Sequence, residues 1–217
     1  MNKDIARPEQ TFSKKDIKNI IFDFGGVLLH IDFKKTHEAF EALGIKDPAG
    51  HFTQHHASDL FARLETGRIS INDFYDAFRK EAGTEIPNEA IKDAWNAMLL
   101  DYEKENIALL RKLASKYKLY LFSNTNQIHY DWFAALYQKE FSGEHLEDLF
   151  EVAWYSHEKG VRKPASSVFS HMIKTEGLKA SETLFIDDTV GNIEGASKAG
   201  LKTHLLKSPA ELRLLDL

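Results

Sequence analysis

Five short apolar runs, the last four separated by helix-like segments, decide most of what this chain can fold into. They are Lys18 to Asp23 (K-N-I-I-F-D), Lys118 to Ser123 (K-L-Y-L-F-S), Glu151 to Tyr155 (E-V-A-W-Y), Thr183 to Asp187 (T-L-F-I-D) and Lys202 to Leu206 (K-T-H-L-L). Runs this short and this apolar read as strands, and their alternation with helices predicts a parallel sheet covered on both faces. The helices have visible ends. Asn106 to Tyr117 lines up Ile107, Leu110, Leu113 and Tyr117 on one face. Pro164 is placed to open the next helix at its first turn, with Val168, Phe169, Met172 and Ile173 inside and Gly177 as the stop. The third runs from Thr189 through Ile193 and Ala196 to Gly200; Gly191 and Gly195 weaken it but permit a close approach to the sheet.

Residues 33–105 break the rhythm. Phe40, Phe52, Phe61, Phe74, Trp95 and Leu99 belong to a series recurring at helical spacing with no convincing strand, and Ser70 with Asp73 reads as a helix-capping pair. The predicted fold is therefore α/β: a Rossmann-like parallel sheet core (17–32 and 106–217), an inserted all-helical cap (33–105) and a polar leader (1–16). With 217 residues, one domain carrying an inserted lobe is a natural size.

Composition excludes several chemistries. There is no cysteine, so disulfides, thiolate catalysis and Cys-ligated zinc are out. The 28 basic and 33 acidic side chains form no basic stripe of the kind nucleic acid requires. The stretch M-N-K-D-I-A-R-P-E-Q lacks a signal-peptide core, and no apolar run is long enough to span a bilayer. A cytoplasmic protein with no nucleic-acid or membrane partner, monomeric or weakly dimeric, is the expectation.

Ligands of open parallel sheets bind beyond the carboxyl ends of the strands. Those ends carry Asp23, Ser123-Asn124 and Asp187-Asp188, and the loop after the third strand carries Lys159, Arg162 and Lys163 before Pro164. Two carboxylates about 4 Å apart repel by roughly 4 kcal/mol at an effective dielectric of 20, so three together recruit a proton or a cation. An all-oxygen set without histidine or cysteine suits Mg²⁺, which binds one or two carboxylates along with substrate phosphate oxygens. A carboxylate in that position is a competent nucleophile toward phosphorus.

Taken together, D-F-G-G-V at Asp23, S-N-T at Ser123, R-K-P at Lys163 and I-D-D-T-V-G-N at Asp187 resemble the four ordered motifs of the haloacid dehalogenase (HAD) superfamily. The resemblance covers the chain from residue 17 and is nearest to the sugar-phosphatase-like branch with a helical C1 cap, through stretches such as E-T-G-R-I-S and F-S-N-T-N-Q-I-H. It implies a Mg²⁺-dependent phosphatase of small phosphorylated metabolites, sugar phosphates foremost, working through an aspartyl-phosphate. Asp23 would be nucleophile and metal ligand, joined at the metal by the Gly25 carbonyl, Asp188 and, directly or one step out, Asp187. Ser123, the Asn124 amide and Lys163 would hold the phosphoryl oxygens, with Lys163 also neutralising developing charge. Gly26, Glu65 and Arg68 complete the substrate-contacting set, the last two on a cap turn around Gly67.

Gly25 departs from the family pattern. Most family phosphatases carry a second aspartate there, and losing such a general acid and base typically lowers the rate by about 10²–10⁴. Three explanations are open. The substrate needs little protonation, as an anomeric oxygen would; Asp32 or His30 substitutes; or the protein binds phosphate ligands without turnover. A metal-independent 2-haloacid dehalogenase also lacks that aspartate, but paired acids at Asp187-Asp188 would be gratuitous repulsion in it. His51, His55 and His56 read as surface or packing residues, and the segment H-Y-D-W-F-A-A-L-Y (129–137) as core or site wall.

Overall fold

The computed structural model describes residues 12–45 and 59–217. His51, His55, His56 and Phe52 lie outside the described residues. Five parallel strands form the main sheet: β1 (Asn19–Phe22), β4 (Lys118–Ser123), β5 (Val152–Tyr155), β6 (Thr183–Asp187) and β7 (Lys202–Leu205), in the order β5-β4-β1-β6-β7. Strand β1 is central, with Phe22 level with Leu121 on one side and Ile186 on the other.

The strand period of two sorts the apolar side chains into two cores. Ile20, Phe22, Leu119, Leu121, Leu184 and Ile186 join one cluster, whereas Ile21, Tyr120, Phe122 and Phe185 join the other. Helices α8 (Ser166–Thr175) and α9 (Val190–Lys198) supply Phe169, Met172 and Ala196 to the second cluster. Helices α5 (Lys104–Leu113) and α6 (Gln127–Glu140) supply Ile107, Leu110, Phe133 and Tyr137 to the first. Both sheet faces are thus covered, and the sheet's polar groups are left to its edges and ends.

One local expectation changes. Helix α8 starts at Ser166 with Ala165 as its N-cap, so Pro164 stands before the helix and not in its first turn. Helix α9 packs on β6 and β7, and at Gly195 the tightest approach is to the neighbouring loop, where a Cβ would lie 1.9 Å from the Pro164 carbonyl oxygen. The close approach is between α9 and the loop that carries Lys163.

The inserted segment holds α1 (Phe33–Ala42), α2 (Asp59–Glu65), α3 (Ile71–Ala82) and α4 (Asn88–Asn96). Ser70 caps α3 by accepting from the Asp73 N–H at 3.1 Å. The segment also contributes a strand that its sequence did not suggest. Strand β3 (Leu99–Tyr102) pairs antiparallel with β2 (Leu29–Ile31), Ile31 opposite Leu99 and Leu29 opposite Tyr102. Leu99 follows Trp95 at a helical interval, which disguised the change of period. This two-stranded ribbon links cap to core. Of the leader, residues from Phe12 are described, and the Phe12 ring meets His204 edge-on at 6.3 Å.

Candidate active site

Asp23 is the first residue beyond β1, and its N–H continues the sheet by donating to the Ile186 carbonyl at 2.9 Å. The adjacent strand β6 ends at Asp187, so parallel pairing alone brings the two carboxylates to one edge. Asp23, Asp187 and Asp188 each offer an oxygen within 4.8 Å of the others.

Lys163 crosses into this cluster from the loop after α7 (Ser156–Lys159). Its ammonium lies 2.7 Å from Asp23 Oδ1 and 2.7 Å from Asp187 Oδ2, with 1% of its side chain exposed. Its Nζ also sits 5.5 Å and 5.3 Å from the ring centres of Phe122 and Phe185, so apolar walls enclose the charge. Burial opposes that charge, but Asp187 and then Asp23 hold the Lys163 pKa above its ordinary value. The loop is clamped by Asn124, whose side chain accepts from the Lys163 N–H at 2.9 Å and donates to the Lys163 carbonyl at 3.1 Å. The Asn124 side chain is therefore committed to Lys163, and its backbone N–H is what remains for a phosphoryl oxygen.

The two acids after β6 differ. Asp187 is fully buried, and its oxygens accept from the Thr189 N–H (2.7 Å), the Asn192 amide (3.1 and 2.9 Å) and Lys163. Three donor groups therefore hold Asp187 in place, and through its contact with the ammonium it orients Lys163. Asp188 is half-buried and accepts from the Thr189 hydroxyl at 3.1 Å. Burial and then the Asp187 charge raise the pKa of Asp23 well above the usual carboxylate range, against the pull of Lys163, and raise that of Asp188 as well. A site with three acids and one lysine at such close quarters has the donor set and the charge deficit that a hard divalent cation relieves.

Above the cluster is a cavity of about 520 Å³, lined at its base by Asp23, Gly25, Gly26, Ser123, Asn124, Lys163 and Asp188. Gly26 has φ +73°, and a Cβ there would lie 2.2 Å from Asp188 Oδ2. Its N–H donates to the Leu29 carbonyl at 2.9 Å, so Gly26 serves by lacking a side chain and its amide is not free for substrate. At Gly25, a Cβ would lie 2.3 Å from Ile31 Cδ1. A side chain at position 25 would require the tip of Ile31 to move.

The remaining sequence-derived candidates divide. Glu65, at the end of α2, lines the cavity with its carboxylate 2.8 Å from Arg162 Nε, though the N–H is not aimed along that line. Burial raises the Glu65 pKa, opposed by Arg162. Arg68 does not line the cavity; its Nε donates to the Thr66 hydroxyl at 2.7 Å. Turn geometry at Gly67, packed against the His157 carbonyl, aims Arg68 away and leaves Arg162 as the cation near Glu65. Nor do the two substitutes for the missing acid reach in. Asp32 caps α1 by accepting from the Lys34 N–H, and His30 pairs with Glu103 at 3.2 Å.

Sequence reasoning placed Arg162 at the sheet edge and His129 in a core or site-wall segment without giving either a role, and it did not single out Asn192. Arg162 and Asn192 stand inside quoted motifs, R-K-P and D-D-T-V-G-N, and position within them was the available signal. His129 lies on the aromatic segment 129–137, its Nδ1 2.8 Å from Asn96 Oδ1 and its ring stacked on Trp95 at 4.7 Å. Burial pushes its pKa down to about 3, so it is a neutral ring in the wall.

A model of the haloacid dehalogenase-like hydrolase family matches residues 17–200. The chain is 34% identical to a D-ribitol-5-phosphate phosphatase from Bacteroides thetaiotaomicron over 199 residues, 91% of this chain and 95% of that protein. It is 27% identical to a sesquiterpene phosphatase from Aspergillus oryzae over 213 residues, 91% of this chain and 96% of that protein. Among solved structures, a wild-type HAD-family enzyme from Bacteroides thetaiotaomicron in complex with magnesium and inorganic phosphate superposes with a TM-score of 0.80 at 33% identity. The match covers 88% of this chain and 95% of that one.

Proposed function

Because the chain belongs to the haloacid dehalogenase-like hydrolase family, we propose that it is a magnesium-dependent phosphatase of small phosphorylated metabolites acting through Asp23. The observation that carries this reading is the buried lysine bridging two of three carboxylates in a cavity at the strand ends. Two relatives named as phosphatases, and a solved neighbour holding magnesium and phosphate, support it.

In this reading the Asp23 carboxylate attacks phosphorus and the ester oxygen departs, leaving an aspartyl-phosphate that water cleaves to regenerate Asp23. Ser123, the Asn124 N–H and Lys163 hold the phosphoryl oxygens, and Lys163 offsets the charge that spreads over them. Asp187 keeps the ammonium aimed. The ligands for Mg²⁺ would be Asp23, Asp188 and the Gly25 carbonyl, with Asp187 one step out. Bound there, the ion supplies charge neutralisation to the phosphoryl group and relief to the crowded acids. The cap walls exclude bulk water from the reacting atoms.

Sugar phosphates are the esters that the sequence resemblance and the ribitol-phosphate relative put first for testing. A second reading, a phosphate-ligand binder without turnover, takes its support from Gly25, which offers no acidic side chain beside Asp23. Phosphate release from an ester panel, with and without Mg²⁺, separates the two. The expected result is Mg²⁺-dependent release that Asp23→Asn abolishes while the variant still binds orthovanadate or phosphate. Specific ligand stabilisation without release would favour the binder, and full activity in Asp23→Asn would end the proposed mechanism. Halide release in chelator would instead indicate a dehalogenase, a chemistry for which the three-carboxylate cluster has no use.

A further inference from the structure

Cap and core each send a charge into the cavity wall, and the two meet without a hydrogen bond. Glu65 ends α2 of the cap, and Arg162 stands one residue before Lys163 in the core. Both line the cavity, with Glu65 Oε2 2.8 Å from Arg162 Nε. Neither atom has a hydrogen-bond partner among the described residues. Buried polar atoms are normally paired, so each exception calls for an explanation. With 17% of its side chain exposed, Glu65 is shielded from solvent yet reachable from the cavity. Its place is fixed by the turn that follows, where a Cβ at Gly67 would lie 2.2 Å from the His157 carbonyl oxygen. Burial raises the Glu65 pKa and Arg162 pulls it down. The first effect keeps a proton on the carboxyl, and the second stabilises the carboxylate once that proton has gone.

The second observation concerns the departing oxygen. An unprotonated alkoxide is about as basic as hydroxide, whose parent water has a pKa of roughly 15.7, so an alkyl phosphate needs a proton donor. Among the described residues lining the cavity, the acids are Asp23, Asp188 and Glu65. Asp23 is the nucleophile of the reading above, and Asp188 belongs to the cation site. Lys163 is bound to two carboxylates, Arg162 keeps its protons throughout, and His129 is a neutral ring held by Asn96. Gly25 has no side chain to offer, and Asp32 and His30 are engaged elsewhere. In-line displacement sends the departing oxygen away from Asp23 and the strand ends. Glu65 comes from the cap, on the far side of that attack.

We propose that Glu65 is the general acid of this site, supplying from the cap the proton that an aspartate at position 25 supplies in most family phosphatases. The inference rests on the phosphatase reading above and adds its proton donor. Asp23 bonds to phosphorus as the phosphorus–oxygen bond to the alcohol breaks. The protonated Glu65 carboxyl gives its proton to that oxygen, so the product leaves as a neutral alcohol. Arg162 faces the carboxylate so formed. Water then adds to the phosphorus of the aspartyl-phosphate and yields a proton to Glu65. The bond to Asp23 breaks, its electron pair restores the Asp23 carboxylate, and hydrogen phosphate departs. Both carboxyl groups are then back in their starting states.

The test is kcat/KM of the full chain and of Glu65→Gln, with Mg²⁺, on 4-nitrophenyl phosphate, benzyl phosphate and ribitol 5-phosphate. This parameter reads the steps up to departure of the leaving group, so the later attack by water does not mask the contrast. A phenolic oxygen, with a parent pKa of about 10 in tyrosine and lower with a nitro group, departs readily. The other two leave as basic alkoxides, and benzyl phosphate carries no hydroxyl. We expect Glu65→Gln to lose about 10²–10⁴-fold more on benzyl and ribitol phosphates than on 4-nitrophenyl phosphate, the usual contribution of a positioned acid. Glu65→Ala must show the same selectivity. Equal losses on all three esters would make Glu65 a mere partner of Arg162 and overturn the proposal. A loss confined to ribitol 5-phosphate would make it a reader of substrate hydroxyls and overturn it too. In the parent, benzyl phosphate should be cleaved within about 100-fold of 4-nitrophenyl phosphate; a wider gap means that no acid assists departure, whether or not the variants fold. Each of these failures sinks this inference alone while Asp23→Asn stays inactive. Full turnover in Asp23→Asn, or no hydrolysis of any ester by the parent, sinks the phosphatase reading as well.

Discussion

Lys163 holds its ammonium 2.7 Å from Asp187 Oδ2, and neither side chain is more than 1% exposed. Breaking such a pair by removing one partner typically costs 3–5 kcal/mol, because the other charge stays buried and uncompensated. Lys163→Met leaves both Asp187 and Asp23 in that condition. We expect a loss of about 3–5 kcal/mol in urea unfolding, together with loss of phosphate release. A loss below about 1 kcal/mol would mean that the pair is more hydrated than its burial indicates. Asp187→Asn is expected to be milder, at about 1–3 kcal/mol, because its new amide would face the Thr189 N–H and the Asn192 amide, both donors.

The position of Lys163 depends in turn on a glycine in a helix 32 residues further along. A Cβ at Gly195 would overlap the Pro164 carbonyl oxygen at 1.9 Å, and backbone cannot swing aside as a side chain can. Gly195→Ala should cost about 1–3 kcal/mol and shift the lysine loop, lowering kcat. Gly191→Ala, in the same helix, meets only Pro164 Cβ at 3.9 Å and should stabilise by about 0.5–1 kcal/mol. Thermal unfolding of the two variants side by side checks the contrast; equal effects would show that helix propensity, and not the contact, governs both.

The sheet and the polar ends of its strands were legible because strand length, apolar content and parallel order are all written locally. Asp23 and Asp187 had to meet once β1 and β6 were neighbours, since parallel register puts both strand ends at one edge. The turn at Gly67 was different. Glu65 and Arg68 are three residues apart, yet one lines the cavity and the other bonds to Thr66, an outcome set by the packing of Gly67 on the His157 carbonyl. Strand β3 was hidden because Trp95 and Leu99 keep a helical interval across the boundary, and only pairing with β2 reveals the change. The role of Asp187 was equally unreadable: a sequence gives the acid but not the donors that hold it in place.

Gly26 offers a test of the proposed cation site that does not depend on turnover. Its backbone is left-handed, and an added methyl would lie 2.2 Å from Asp188 Oδ2. Gly26→Ala must therefore displace either the turn or the carboxylate. Disturbing the surroundings of a metal ligand typically lowers affinity by 10–100-fold, and we expect a loss in that range for Mg²⁺ by titration calorimetry. Unchanged affinity would remove Asp188 from the ligand set.

His129 gives the protein a pH dependence of known sign. Burial holds its folded-state pKa at about 3, against an ordinary 6.5, and its ring is stacked between Trp95 and the cavity. Between these values the unfolded chain binds a proton that the folded chain refuses, so stability rises with pH. The contribution is complete above about pH 6.5 and declines as pH falls toward 3. At 1.36 kcal/mol per unit, the fall from pH 6.5 to pH 5 removes about 2 kcal/mol. His129→Gln retains a group able to donate to Asn96 but does not titrate, so its urea midpoint should change less than that of the parent between pH 7 and pH 5. Parallel declines in the two proteins would assign the acid sensitivity to other groups.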